Sequence, residues 1–211
     1  MSSNVITTGD MLIMLIMGYL IGSCNFAIIY SKLFKKDDIR KHGSGNAGAT
    51  NVLRTYGKGP AAAVFLLDLL KGVVAVVLAK LFYPNTDICA CIAAFGAILG
   101  HNFPCYHGFV GGKGVATSFA VLLVLDWRIA LIALGVFLIV VLITRYVSVG
   151  SISASVAAPA AAIVFKCVND SASLALCVFT VCVGILCILR HKENIVRLRQ
   201  GKENKLGKRA A

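Results

Sequence analysis

Three polar stretches in an otherwise apolar chain carry the residue types that hold phosphate. The first, 42–54, reads His-Gly-Ser-Gly-Asn-Ala-Gly-Ala-Thr-Asn-Val-Leu-Arg. Gly43, Gly45 and Gly48 let successive N–H groups converge into one concavity, a nest for anionic oxygen. Ser44 and Thr50 add hydroxyls, Asn46 and Asn51 add amides, and Arg54 adds a planar fork suited to phosphate. The second stretch joins Gly-His-Asn-Phe-Pro at 100–104 to Gly-Gly-Lys-Gly-Val-Ala-Thr at 111–117. Gly111, Gly112 and Gly114 surround Lys113 and lead into an apolar helix. Its N-terminal amides attract anions, with Thr117 and Ser118 as further donors. The third stretch, 191–205, holds His191, Asn194 and Glu203 within a basic tail. His191 and Asn194 are three apart and share one helical face.

These patterns exclude several chemistries. A Walker A loop needs a glycine where His107 stands and Ser or Thr where Gly114 stands. There is no Gly-x-Ser-x-Gly elbow. None of the four histidines has an aspartate five positions later, so the His-x4-Asp pair of many soluble acyltransferases is missing. The eight cysteines form no CxxC pair, and the histidines and cysteines lack metal-ligand spacing, so neither metal nor cofactor is expected. His101 reads as a hydrogen-bond partner rather than a base. Asp68 and Lys71, three apart inside an apolar run, read as a structural ion pair.

The elements that must position these residues are membrane helices. The 211-residue chain is 58% hydrophobic and 14% charged, with mean hydropathy +0.84, against roughly a quarter charged in soluble domains. Apolar segments fall near 11–31, 60–82, 88–102, 114–126, 129–147, 151–168 and 172–189, predicting an all-α polytopic protein of about seven transmembrane helices. The run from Met11 to Ser31 has no charge and is long enough to cross as one helix. Of the 21 Lys and Arg residues, 17 fall in 32–59, 103–113, the 145–150 corner and the tail from 190. That asymmetry predicts an N-terminus outside, a cytoplasmic C-terminus, and all three polar stretches on the cytoplasmic side. It also accounts for the net charge of +12 without nucleic acid. Segments three and four are short. Either the second polar stretch sinks into the membrane at the bottom of a cavity, or the two segments form a re-entrant hairpin. Ser151, Ser153 and Ser155 with the alanines that follow permit close helix packing, and Ser151 is placed to face the cavity. The stretch from Glu193 is expected to form a short interfacial helix, and 206–211 to fray. The whole chain, 1–211, reads as one domain.

In order and spacing, these motifs resemble those of the bacterial acyl-phosphate:glycerol-3-phosphate acyltransferase family. Residues 43–51 resemble its first motif. Residues 100–104 with 111–117 resemble its second. His191, Asn194, Ile195, Arg197, Leu198, Gly201, Glu203 and Lys205 fit its third. The resemblance implies a seven-helix inner-membrane enzyme of phospholipid biosynthesis, expected to act as a monomer. It would move an acyl group from acyl phosphate to the 1-hydroxyl of glycerol 3-phosphate, giving lysophosphatidate and phosphate without metal.

A mixed anhydride carries its own leaving group, so hydrogen-bond donors and orientation suffice without a protein nucleophile. On this reading Ser44, Asn46 and nearby amides hold the acyl phosphate. Arg54 and Lys113 bind the phosphate of glycerol 3-phosphate, assisted by Ser151, His191 and Asn194. A substrate phosphate oxygen serves as base, Glu203 anchors the third stretch through a basic residue, and the acyl chain lies in a groove open to lipid. The rival is a transporter for an organic phosphate, which would carry an internal repeat; none is visible. A lipid phosphatase or other transferase sharing the phosphate cradle is the second rival.

Overall fold

The computed structural model of the protein describes residues 6–84 and 86–206, and every regular element among them is helical. The first apolar segment yields α1 (Thr8–Ser23) and α2 (Phe26–Lys35), and the first polar stretch yields α3 (Ala49–Tyr56). The next six segments become α4 (Lys58–Phe82), α5 (Asp87–Asn102), α6 (Val115–Leu125), α7 (Trp127–Thr144), α8 (Val147–Asn169) and α9 (Leu174–Arg190). A final helix, α10 (Lys192–Arg199), bends by 52° from α9.

By length and composition, α1 with α2, α4, α5 with its following turn, α7 and α8 can each cross a membrane, and α9 with α10 makes a sixth candidate. The fourth segment is different. With 11 residues, α6 rises only about 16 Å, roughly half the hydrocarbon thickness. Leu142, Ile143 and Val168 are more than 70% exposed, which in lipid leaves apolar side chains among apolar solvent.

The run expected to form one helix breaks at Cys24-Asn25. The Asn25 Oδ1 accepts the Ile28 N–H at 3.2 Å and caps α2, while its Nδ2 donates to the carbonyls of Ala47 (3.2 Å) and His101 (3.4 Å). A buried asparagine so engaged satisfies backbone that a continuous helix would leave bare. In the tail, expected to fray over 206–211, the Leu206 N–H donates to the Arg145 carbonyl at 2.7 Å. The rest of that expected fraying, 207–211, lies outside the described residues.

Between α1 and α5 the backbones touch. A Cβ added at Gly18 or Gly22 would come within 2.1 Å of the Ala93 carbonyl oxygen or 2.0 Å of that of Ala97; from the other side, Gly96 and Gly100 meet the carbonyl oxygens of Leu15 and Tyr19. Four glycines, spaced by four on each helix, allow this approach, the usual device where lipid gives no hydrophobic drive to helix pairing. The pairing matters for the site, since α5 ends in the second polar stretch and Tyr19 donates to the Phe103 carbonyl at 2.7 Å.

Candidate active site

The C-terminal ends of α5 and α9 and the N-terminal ends of α3, α6 and α8 open onto one cavity of about 300 Å³. Its polar end is lined by Ser44, Asn46, Thr50, Asn51, Arg54, Lys113, Ser148, Ser151, His191, Asn194 and Glu203. The remainder continues along α6, α7, α8 and α9 past Phe119, Leu122, Leu134, Phe137, Ala158, Phe179 and Val183. Hydroxyls in that deeper part are spent on their own helices: Ser155 donates to the Ile152 carbonyl at 2.8 Å and Thr180 to that of Cys177 at 2.9 Å. The cavity therefore has a polar head and an apolar groove.

The three polar stretches are stitched together pairwise. Arg40, just ahead of the first stretch, reaches to the second, donating to the His107 (2.8 Å) and Val110 (3.0 Å) carbonyls while Asp38 grips its fork. Arg190 joins the second to the third: its guanidinium donates to the Gly112 carbonyl at 2.9 Å and stacks 4.9 Å from the Phe103 ring. Arg54 meets the Asn204 carbonyl at 3.5 Å, linking first and third. Lys113 donates to the Asn194 Oδ1. Asn194 Nδ2 donates to Glu203 at 2.7 Å, and Glu203 also accepts from Ser148 Oγ and Arg197 Nε, each at 2.9 Å. Burial works to raise the Glu203 carboxyl, but these hydrogen bonds outweigh it and hold it below the ordinary value. Burial pulls Lys113 down to about 8, helped by the nearby Arg197 charge.

In the first loop, Ser44, Asn46 and Thr50 present side chains to the cavity with no hydrogen-bond partner among the described residues. The helix α3 starts at Gly48 without a side-chain cap, so the Ala49 and Thr50 amides stand at the cavity wall. His191 donates from Nδ1 to the Cys187 carbonyl at 2.8 Å, leaving Nε2 as the free ring nitrogen. Ser151 donates to the Val147 carbonyl at 2.9 Å and so turns acceptor lone pairs to the cavity.

Several expected ligands have other work. Thr117 is fully buried between α6 and α4 and donates to the Asp68 carbonyl, so it cannot reach the cavity. The Gly111 and Gly112 amides donate to the Asn102 and His101 carbonyls, leaving neither for phosphate. Gly45 and Gly48 amides return to His42 and Asn46 carbonyls. Gly43, with φ +57°, packs where a Cβ would strike Asn51 Oδ1. Asn51 lines the cavity, but its Oδ1 accepts the Ser44 N–H (2.9 Å) and its Nδ2 donates to Ile39 and His42 carbonyls. The glycines thus shape the loops rather than form the expected nest. Gly114, at φ +74°, both turns the chain into α6 and lines the cavity.

Asp68 and Lys71 are ion-paired at 2.7 Å, deep between α4 and α5, and Asp68 touches the cavity. Arg40, Arg190, Asn25 and Ser148 escaped the sequence reading. Its place directly after an apolar segment was the available signal for Arg190; nothing in the sequence marks Arg40, Asn25 or Ser148.

A family model described as glycerol-3-phosphate acyltransferase matches residues 12–201. The chain belongs to the glycerol-3-phosphate acyltransferase family. Among relatives bearing that name, one from Halalkalibacterium halodurans is 46% identical over 199 residues, covering 93% of this chain and 96% of the relative. Another, from Thermoanaerobacter pseudethanolicus, is 44% identical over 196 residues, covering 92% and 94%. Two crystal structures share the fold. The glycerol 3-phosphate form of PlsY (YgiH), an integral membrane glycerol 3-phosphate acyltransferase, has a TM-score of 0.85 and 37% identity over 94% of this chain and 96% of that one. Its lysophosphatidic acid form has a TM-score of 0.82 and 36% identity with the same coverage. Membership makes this chain an integral membrane acyltransferase with an all-α fold.

Proposed function

We propose that the protein transfers an acyl group from acyl phosphate to the sn-1 hydroxyl of glycerol 3-phosphate, releasing lysophosphatidate and inorganic phosphate. The observation that carries this reading is the shape of the cavity: cations and free hydroxyls at one end, an apolar groove continuous with them at the other. A phosphomonoester fits the head, and a fatty chain with a phosphate at its end fits head and groove together. Relatives named for glycerol 3-phosphate, and a similar structure in a lysophosphatidic acid form, support the same pairing of substrate and product.

Arg54 and Lys113 bind the phosphate of glycerol 3-phosphate, with Ser151, His191 and Asn194 fixing its glycerol part; Ser44, Asn46, Thr50 and the first amides of α3 hold the acyl phosphate. The glycerol hydroxyl oxygen attacks the acyl carbon, the bond from that carbon to the phosphate oxygen breaks, and the proton passes to a phosphate oxygen. No side chain of the polar head need gain or lose a proton. Orientation of the two substrates supplies much of the rate. The enzyme works as a monomer and one domain, in the bacterial inner membrane, with seven membrane segments, N-terminus outside and the polar head facing the cytoplasm.

Incubating the purified protein with labelled palmitoyl phosphate and glycerol 3-phosphate should yield lysophosphatidate and phosphate, and palmitoyl-CoA should not replace the donor. Equal turnover with the thioester would overturn the donor assignment, and no acylated product with either would overturn the reading.

A further inference from the structure

We infer that His101 is a catalytic residue whose Nε2–H donates a hydrogen bond to the carbonyl oxygen of the acyl donor as charge gathers there during transfer. The inference rests on the acyl-transfer reading above. Sequence alone read His101 as a hydrogen-bond partner, not a base; its surroundings give it an unused donor.

Lys71 fixes the ring. Its Nζ lies 2.7 Å from Asp68 Oδ1, 3.0 Å from the Cys24 carbonyl and 2.9 Å from His101 Nδ1. An ammonium has three donors and no acceptor, so Nδ1 must accept, and the ring proton sits on Nε2. Asp68 Oδ1 is farther from Nδ1, at 3.5 Å, makes no hydrogen bond with it, and is ion-paired with Lys71. The imidazole lines the cavity, and its Nε2 has no hydrogen-bond partner among the described residues. A Cβ on Gly112 would come within 2.1 Å of Nε2 and 2.7 Å of the Ala47 carbonyl oxygen. The glycine therefore leaves space for the ring between the first and second loops, next to Lys113. The rival reading is that Nε2–H merely packs against Ala47; that carbonyl accepts from Asn25 and makes no hydrogen bond with Nε2.

Charge decides which substrate oxygen the donor serves. Asp68 and Lys71 cancel, so His101 offers a neutral donor in a buried setting. The phosphate of glycerol 3-phosphate is met by Arg54 and Lys113, and that of the donor by the first loop and the α3 amides. A neutral, fixed donor gains most from an oxygen that is uncharged in the ground state and charged in the transition state. The acyl carbonyl oxygen is that atom. His101 neither gains nor loses a proton in the step; it accepts only the task of holding the oxygen while the ester bond forms and the phosphate departs.

The amide of Asn reaches the Nδ1 position, and the amide of Gln reaches the Nε2 position. His101→Asn keeps a partner for Lys71 and removes the donor, so kcat should fall about 100-fold or more while KM for glycerol 3-phosphate and the thermal midpoint hold. His101→Gln should recover part of kcat. A purely structural role would give the opposite order. In the unaltered protein, the carbonyl stretch of bound carbonyl-13C palmitoyl phosphonate should move to lower frequency than in detergent alone, a readout that needs no variant to fold. Wild-type kcat in His101→Asn, no advantage of Gln over Asn, or an unshifted carbonyl would each overturn the proposal. If the unaltered enzyme fails to acylate glycerol 3-phosphate from palmitoyl phosphate, the acyl-transfer reading itself has failed.

Discussion

Replacing Glu203 by alanine should damage the reaction through Asn194. Both carboxylate oxygens are taken by protein donors: Asn194 at 2.7 Å and Ser148 at 2.9 Å on one, Arg197 at 2.9 Å on the other, with the side chain only 4% exposed. Because Nδ2 of Asn194 is committed to Glu203, its Oδ1 faces Lys113. Without Glu203 the amide is free to turn over and set its NH2 against the ammonium. A hydrogen bond to a charged group is worth about 1.5–3 kcal/mol. Loss of that one oriented contact then lowers kcat/KM for glycerol 3-phosphate by about 10- to 150-fold at 1.4 kcal/mol per decade. Glu203→Gln should fall between, since its carbonyl still accepts from Asn194 while its amide opposes Arg197. The assay is kcat/KM with palmitoyl phosphate saturating, with thermal midpoint and gel-filtration profile as folding controls. Sign also follows from the lowered Glu203 carboxyl. Its stabilisation is present above the ordinary glutamate range and is lost as pH falls through the lower folded value. The Gln variant should lack that acid-side loss. A folded Glu203→Ala enzyme with wild-type kcat/KM would refute the chain from Glu203 through Asn194 to Lys113.

Other perturbations test the remaining parts. Lys113, near 8 when no phosphate is bound, is a cation below that pH and loses its proton above it. Affinity for glycerol 3-phosphate should therefore decline above about pH 8, by at most tenfold per pH unit; KM measured from pH 7 to 9.5 checks this, and Lys113→Arg should flatten the decline. Arg190→Lys removes the fork from the Gly112 carbonyl and should raise KM several-fold with little change in kcat, since the second loop loses its hold on α9. Gly22→Ala puts a methyl about 2 Å from the Ala97 carbonyl oxygen; the cost of about 1–3 kcal/mol should appear as a lower thermal midpoint, while the folded fraction keeps normal KM.

Much of this site could be read from residue types. The apolar runs located α4 to α9 closely, because lipid demands both length and uniform hydropathy from a spanning segment. The polar stretches stood out for the same reason: nothing polar persists at membrane depth without a use. Which atoms in those stretches remain free was not legible. Asn51 and Asn46 look alike in sequence, yet Asn51 spends its amide on Ile39, His42 and Ser44, while Asn46 is left to the cavity. Thr117 and Ser118 are adjacent on α6, so one helical step of about 100° sends Thr117 to α4 and Ser118 to the cavity. The glycine spacing of α1 and α5 was legible in principle, as small residues four apart, and predicts a close crossing without naming the partner.

The arginines divide along a line that explains why this cavity can be so basic and still fold. Arg190 gives its fork, and Arg40 the one nitrogen that Asp38 does not hold, to backbone carbonyls of the second loop. These two guanidiniums pin the second loop from outside the cavity, whose lining includes neither arginine nor the residues whose carbonyls they hold. Arg54 and Lys113 have only one weak or neutral partner each, Asn204 and Asn194, and no carboxylate within ion-pair distance among the described residues. A carboxylate partner would neutralise them and compete with phosphate. Amide and carbonyl partners hold the side chains in place yet yield their share of charge when a stronger acceptor arrives. By this logic, placing an acid beside Lys113, as in Asn194→Asp combined with Glu203→Gln so that the new carboxylate meets an amide donor and not the Glu203 carboxylate, should neutralise Lys113 while sparing the fold. It should also raise KM for glycerol 3-phosphate by about tenfold or more, the effect of one buried charge-assisted contact turned against the substrate. An unchanged KM in that variant would show that Lys113 does not meet the phosphate at all.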